Sequence, residues 1–278
     1  MNISSELRKK VDEVFEKFEE FKIQFEKYPY AQKQQKFFQV MEKFRIYLAN
    51  ITDEKLIDMV MHSERYVHYK KYFRDQNDYF MRALETVEAL DIINKNTGVD
   101  STLLNIISTD YLKNRYLQKS HDLRLANLSN IKKIVMVGCG PFPDTLLYLY
   151  ENTNIPELIG LDYNEEAIFI SAQFIENLGF DRIKLQCMDG TLYDYADADL
   201  IYIAGFVHQK DEVLKQIAET STNKNAEIIV DSALGMQKLL FENVNNHTLH
   251  PRLKIDERDY SKSKFYVQEM IKITKYDI

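Results

Sequence analysis

The chain is poor in what several protein classes require. It has two cysteines in 278 residues, Cys139 and Cys187. Two are too few for a disulfide framework and lack the CxxC spacing of a zinc site, so both read as reduced thiols. Positive charge is not in excess, since 36 Lys and Arg stand against 43 Asp and Glu for a formal −7. The two signs are interspersed, which excludes the basic stripe of a nucleic-acid binder. No apolar run approaches the roughly 20 residues that span a bilayer, and MNISSELRKK leads into an amphipathic stretch, not a signal-peptide core. We therefore expect a cytoplasmic protein with neither nucleic acid nor a membrane as partner. Internal repeats and low-complexity segments are also lacking, and 45% hydrophobic residues suffice for one large core or two modest ones.

What is present divides into two textures. Residues 1 to about 125 hold helical periodicity almost throughout with few glycines and prolines, whereas residues 131–278 alternate short β-branched runs with helical stretches. The expected organisation is an all-helical N-terminal domain followed by an α/β domain, with the joint around Ala126–Asn130. In the first helix Leu7, Val11, Val14, Phe18, Phe21 and Phe25 recur at spacings of four and three. Such a seam packs against neighbouring helices or, alternatively, against a second copy in a homodimer.

The second half reads as a doubly wound, Rossmann-like sheet. Expected strands are Ile134–Val137, Leu158–Leu161, Ile183–Cys187, Leu200–Ile203 and Glu227–Val230, with a terminal antiparallel pair from Leu253–Ile255 and Phe265–Ile273. Ligands of such sheets bind beyond the carboxyl ends of the strands. Gly138-Cys139-Gly140 follows the first strand, Asp162-Tyr163 the second, Asp189-Gly190 the third and Ala204-Gly205 the fourth. Glycines let backbone NH groups approach a ligand. An aspartate after the second strand can accept from both ribose hydroxyls, and one after the third from an exocyclic adenine amine. Together these residues describe an adenosine site. A dinucleotide fingerprint would continue with a third glycine to face a pyrophosphate, but the chain continues Pro141-Phe142-Pro143. That favours S-adenosylmethionine, which has no phosphate, over NAD.

The segment VGCGPFPDT at 137–145 resembles the GxGPxPxT loop of the nicotianamine synthases and the related bacterial opine-metallophore aminobutanoyltransferases, among them the D-histidine 2-aminobutanoyltransferases of staphylopine-type biosynthesis. The similarity continues in LDYNEEA at 161–167, with Asn164 and Glu165 departing, in IYIAGFVHQKDEVLKQI at 201–217, and in DSALGMQKLLF at 231–241. A fainter match in the helical half runs through ALETVEAL around Glu85 and through Tyr111-Leu-Lys-Asn114. The resemblance implies a class I S-adenosylmethionine-dependent fold that transfers the 3-amino-3-carboxypropyl arm to an amine and leaves methylthioadenosine. It implies Glu85 as general base and Tyr111 as the hydroxyl that orients the amine or the arm. Glu64 and Glu88 are the competing carboxylates. It implies Gly138, Cys139, Gly140, Pro141, Asp162, Tyr163, Asp189, Gly190, Ala204 and Gly205 around the cofactor, and no metal requirement.

Two positions depart from the plant-type pattern, Asp231 and Gln237 standing where it has arginines. This implies a differently handled acceptor and a single transfer onto an amino acid such as histidine, the D form favoured, with a downstream opine dehydrogenase as pathway partner. His208, after the fourth strand, and Asp231 are the acceptor-side candidates. The helical domain would lid the α/β domain and keep water from the sulfonium. Nicotianamine synthase proper, a small-molecule methyltransferase and a non-catalytic adenosine-binding module are the alternatives. The HSERYVHYKKYF stretch places His62, Glu64 and His68 close in sequence, but not on one i, i+4 face, so a helix packed by its Tyr and Phe is the better reading.

Overall fold

The computed structural model describes residues 5–95, 102–262 and 267–276. Its elements run α1 (Ser5–Lys27), α2 (Tyr30–Asn50), α3 (Glu54–Met61), α4 (Glu64–Lys95), α5 (Leu103–Ile106), α6 (Asp110–Asp122), β1 (Lys133–Val137), α7 (Asp144–Asn152), β2 (Glu157–Asp162), α8 (Glu165–Leu178), β3 (Ile183–Cys187), β4 (Leu200–Ile203), α9 (Lys210–Thr220), β5 (Glu227–Ala233), β6 (Leu253–Lys262) and β7 (Val267–Lys275). The chain forms two compact units. One comprises residues 1–81, 233–241 and 262–268, the other residues 82–232, 242–261 and 269–278.

The first unit is helical and its core is aromatic. From α1 the side chains of Val14, Phe15, Phe18 and Phe25 are buried. Phe18 meets Phe44 of α2 and Tyr69 and Phe73 of α4 edge-on, while Phe44 and Phe73 lie 4.2 Å apart between ring centroids. The seam read from the sequence thus packs on α2 and α4. Phe15, one position off that seam, is fully buried as well and stacks on Tyr69. In the HSERYVHYKKYF segment Tyr66, Tyr69 and Phe73 face this core, whereas His62, Glu64 and His68 are exposed. Among the described residues no group of acidic, His and Cys side chains is arranged to hold a metal ion.

The second unit is built on a seven-stranded mixed sheet in the order β3-β2-β1-β4-β5-β7-β6. Strands β1 to β5 are parallel. Central runs such as IVMV and LIYI are buried on both faces, as parallel strands covered by helices require. One face carries Val135, Val137, Ile159, Leu161, Ile201, Ile203, Ile228 and Val230 against Val213, Leu214 and Ile217 of α9. Strands expected at Ile183–Cys187 and Leu200–Ile203 fall on those residues, and the others differ at their ends. The expected start of the last strand at Phe265 lies outside the described residues. The expected joint at Ala126–Asn130 lies just before β1, and the second unit also takes in α5, α6 and the end of α4. The strand order reverses between β1 and β4, which opens the crevice where doubly wound sheets take ligands.

Candidate active site

The loop after β1 is fixed by backbone bonds before any side chain matters. Gly138 and Cys139 both donate to the carbonyl of Leu161 on β2, at 2.8 and 3.0 Å, and Ala204 after β4 donates to Val137 at 3.0 Å. Gly138 and Gly140 have φ of 77° and 65°, a region open to glycine. Space imposes the same choice. A Cβ at Gly138 would lie 2.7 Å from Val207, and one at Gly140 would lie 2.7 Å from Oε2 of Glu85. The carboxylate of Glu85 therefore rests on the backbone of the glycine loop.

Pro141, Phe142 and Pro143 are all buried, with the Phe142 ring 5.3 Å from Phe174 of α8. Pro143 is the N-cap of α7, and Asp144 opens that helix with its carboxylate buried. The helix N-terminus, where a pyrophosphate would sit in a dinucleotide site, thus faces a carboxylate of the protein itself. Burial alone would raise the Asp144 carboxyl. Arg115 and Lys119, with the Thr145 NH, overcome that and hold it below the usual range.

Around Asp144 lies a buried chain of charge. Arg115 Nη1 is 2.5 Å from Glu85 Oε1, and its Nη2 is 2.7 Å from Asp144 Oδ2. Lys119 Nζ is 3.1 Å from Asp122 and 3.8 Å from Asp144. Tyr111, Arg115, Lys119 and Asp122 follow one another at spacings of four, four and three along α6. Glu85 is displaced toward neutrality. Burial pushes its carboxyl up to about 7, against the lowering pull of Arg115 and with a further upward push from Asp144 and Asp162. A carboxyl poised there can take a proton near neutral pH.

The competing carboxylates have other uses. Glu88, one turn beyond Glu85 on α4, accepts from the backbone NH and hydroxyl groups of both Ser108 and Thr109, at the start of α6. It anchors the helix that carries Tyr111 and Arg115. Glu64 is an exposed residue at the first position of α4.

At the remaining strand ends, Asp162 accepts from the NH groups of Gly140 and Asn164, each at 2.9 Å and each on a different oxygen. Burial raises its carboxyl, partly offset by those two bonds and by Arg82. Tyr163 is exposed. Asp189 Oδ1 accepts from the Thr191 NH and hydroxyl, each at 2.8 Å, and Gly190 packs so that a Cβ would lie 2.5 Å from Val137. Gly205 is held against Asp231, whose Oδ2 is 2.8 Å from where its Cβ would be. The fully buried Lys210 ties that loop by donating to the Gly205 and Val207 carbonyls at 2.8 and 3.0 Å. His208 on the same loop is exposed.

The structure thus brings Glu85 to Gly140, and Tyr111 into electrostatic reach of Arg115. Arg115, Lys119, Asp122 and Asp144 were missed by the sequence reading. Their signal was available as the polar 111/115/119/122 stripe on α6 and as the aspartate that directly follows the second proline.

No family model matches the chain, and no curated protein matches it. Among solved structures, that of the nicotianamine synthase MtNAS in complex with MTA and tNA is similar, with a TM-score of 0.81 and 17% identity over 95% of this chain and 98% of that one. A glutamate-to-glutamine mutant of MtNAS in complex with S-adenosylmethionine gives 0.78 and 17% over 94% and 98%. The likeness at this identity is one of fold, and it extends over nearly the whole length of both chains.

Proposed function

We propose that the protein transfers the 3-amino-3-carboxypropyl group of S-adenosylmethionine to the amine of an amino acid, releasing methylthioadenosine. The observation that carries this reading is the carboxylate of Glu85, poised near neutrality, against the glycine loop that ends β1. The fold likeness to MtNAS structures holding MTA or S-adenosylmethionine supports it. So does the seated carboxylate of Asp144, which suits a ligand without phosphate.

The residues present fit such a co-substrate. Glycines at 138, 140 and 205 leave room that a Cβ would fill. Each oxygen of Asp162 accepts one backbone NH, which leaves lone pairs for ribose hydroxyls. Asp189 and Gly190 serve the adenine side, and Cys139, Pro141, Tyr163 and Ala204 complete the wall. When bound, the sulfonium supplies an activated carbon for attack.

The protein's own part is positioning and proton transfer. An α-amino group has a pKa of about 8 and lacks a lone pair until it loses a proton. Glu85 takes that proton, and Arg115 fixes the carboxylate by holding Oε1. Tyr111 orients the amine. Held geometry supplies much of the rate, since a displacement of about 1 Å is costly. Histidine, with D-histidine favoured, is the proposed acceptor, with His208 and Asp231 on its side. The product would be an opine-metallophore intermediate, consumed by an opine dehydrogenase.

Incubation with S-adenosylmethionine and D- or L-histidine is expected to give methylthioadenosine and a product heavier by one aminobutyrate, read by mass spectrometry. Formation of S-adenosylhomocysteine would overturn the reading in favour of methyl transfer.

A further inference from the structure

A carboxylate clamped by an arginine is ordinarily a poor base. A guanidinium that closes on both oxygens holds the group ionised and occupies the lone pairs that a proton needs. Glu85 escapes this, and the way Arg115 is held shows how. Arg115 presents Nη1 to Oε1 of Glu85 at 2.5 Å and Nη2 to Oδ2 of Asp144 at 2.7 Å, so each carboxylate receives one prong of the fork. The contact to Asp144 lies off the hydrogen-bond direction, so charge holds it. Oε2 of Glu85 is left over. Among the described residues no ion pair or hydrogen bond reaches that oxygen, and it rests on the glycine loop, 2.7 Å from where a Cβ of Gly140 would stand.

Asp144 is placed to keep its half of the arginine. It is 1% exposed and stands in the first turn of α7, where the helix N-terminus favours a negative charge. Lys119 lies 3.8 Å from the same oxygen, and with Arg115 and the Thr145 NH it holds the carboxyl below the usual range. A neutral residue at 144 would release Nη2 toward Oε2, since arginine takes a lone carboxylate with both prongs. The other groups facing Glu85 leave this balance to Asp144. Asp162 at the end of β2 pushes in the same direction, but each of its oxygens accepts a backbone NH and Arg82 offsets its charge. Cys139 in the glycine loop is a buried thiol that burial keeps protonated. Glu88, on the same helix as Glu85, is engaged by Ser108 and Thr109, while Tyr111 acts on Arg115.

We propose that Asp144 is a positioning residue for proton transfer: by retaining one prong of Arg115 it prevents the guanidinium from closing on Glu85 and leaves Oε2 free to take a proton. Assigning that proton to the acceptor amine rests on the transferase reading above. The division of Arg115 itself rests on the two distances and on the burial of Asp144. With Asp144 in place the Glu85 carboxyl stands at about 7, close to the value of about 8 for an α-amino group, so the proton passes nearly level.

The test follows the Glu85 carboxyl directly, by NMR of the full-length protein carrying carbon-13 in its glutamate carboxyls, with the signal assigned by its loss in Glu85→Gln. Its midpoint is expected near 7 in the parent. Asp144→Asn should lower that midpoint by at least about one pH unit, which makes the base about 10-fold weaker. The acid limb of kcat/KM for methylthioadenosine release from S-adenosylmethionine and histidine should move down with it, while KM for S-adenosylmethionine changes by less than about 2-fold. Lys119→Gln tests the same device with the opposite sign: it removes the second cation of Asp144, leaves more of that charge on Arg115 and should raise the midpoint. An unmoved midpoint in folded Asp144→Asn protein, even with a rate lowered at every pH, overturns the proposal and leaves Asp144 a structural residue. If Asp144→Asn does not fold, a midpoint that falls or stays in Lys119→Gln overturns it equally. Midpoints that move as expected in a protein that makes no methylthioadenosine with any amine sink the transferase reading and leave the division of Arg115 standing. Methylthioadenosine formed with an unmoved acid limb does the reverse.

Discussion

The two units solve the problem of filling an interior in opposite ways. In the first, α1, α2 and α4 interlock Phe15, Phe18, Phe25, Phe37, Phe44, Phe73 and Tyr69, and the fully buried Arg45 is met by the side-chain amide of Asn77 and the Phe80 and Phe241 rings. In the second, an aliphatic sheet shares its interior with Glu85, Glu88, Lys119, Asp122, Asp144 and Lys210, all nearly or fully buried. Buried ion pairs are poor sources of stability, because desolvation offsets most of their attraction. Aromatic packing is a good source. Where a protein keeps charge inside at that cost, chemistry is the better explanation than folding.

Substitutions can break this contrast. The largest expected effect is on rate: Glu85→Gln should lower turnover by about 10²–10⁴-fold while retaining S-adenosylmethionine binding, as loss of a general base requires. Single-turnover kinetics beside calorimetry checks it, and full turnover would exclude Glu85 as the base. In the aromatic unit Phe73→Ala should instead cost about 3–5 kcal/mol of stability, measured by denaturant unfolding. Glu88→Ala should cost less, about 1–3 kcal/mol, because it leaves the NH and hydroxyl groups of Ser108 and Thr109 at the start of α6 without their acceptor. Its signature is raised hydrogen exchange confined to the start of α6.

The last effect sharpens the contrast through pH. Glu85 has a raised carboxyl, from 4.5 to about 7, so its folded state holds a proton that the unfolded chain releases. Its contribution is fully present below about pH 4.5 and is lost as pH rises through about 7, at most about 3 kcal/mol for a shift of that size. Melting temperature should therefore fall more steeply between pH 5 and 8 in the parent protein than in Glu85→Gln. The rate should move the other way, kcat/KM rising through about pH 7 as the base ionises. A pH-independent rate alongside pH-dependent stability would separate Glu85 from the chemistry.

The sheet was legible because parallel strands buried on both faces leave short apolar runs bounded by turn residues, and β3 and β4 fall on the residues read from the pattern. The polar positions after each strand followed from topology alone. The charge network was harder to read, for a physical reason. Arg115 and Lys119 sit on a helix whose sequence, DYLKNRYLQKSHD, is polar enough to pass for a solvated surface. Only tertiary packing turns that stripe inward. Phe15 escaped similarly, since a wider aromatic face than a two-position seam is needed once α1 packs on two helices at once. Asp189 shows the converse, its position read from topology while its Oδ1 is occupied by the local turn at Thr191.

The seated carboxylate at the start of α7 has one more consequence. In doubly wound sheets that bind nucleotides, the helix after the first glycine loop offers its N-terminus to a phosphate. With Asp144 fixed in the first turn by Arg115 and Lys119, a phosphate brought to that helix end meets a negative charge already in residence. Arg115 and Lys119 offset part of that charge, but both are also engaged with Glu85 and Asp122. The helix end is thus answered by the chain itself, and the two cations beside it are drawn onto that carboxylate.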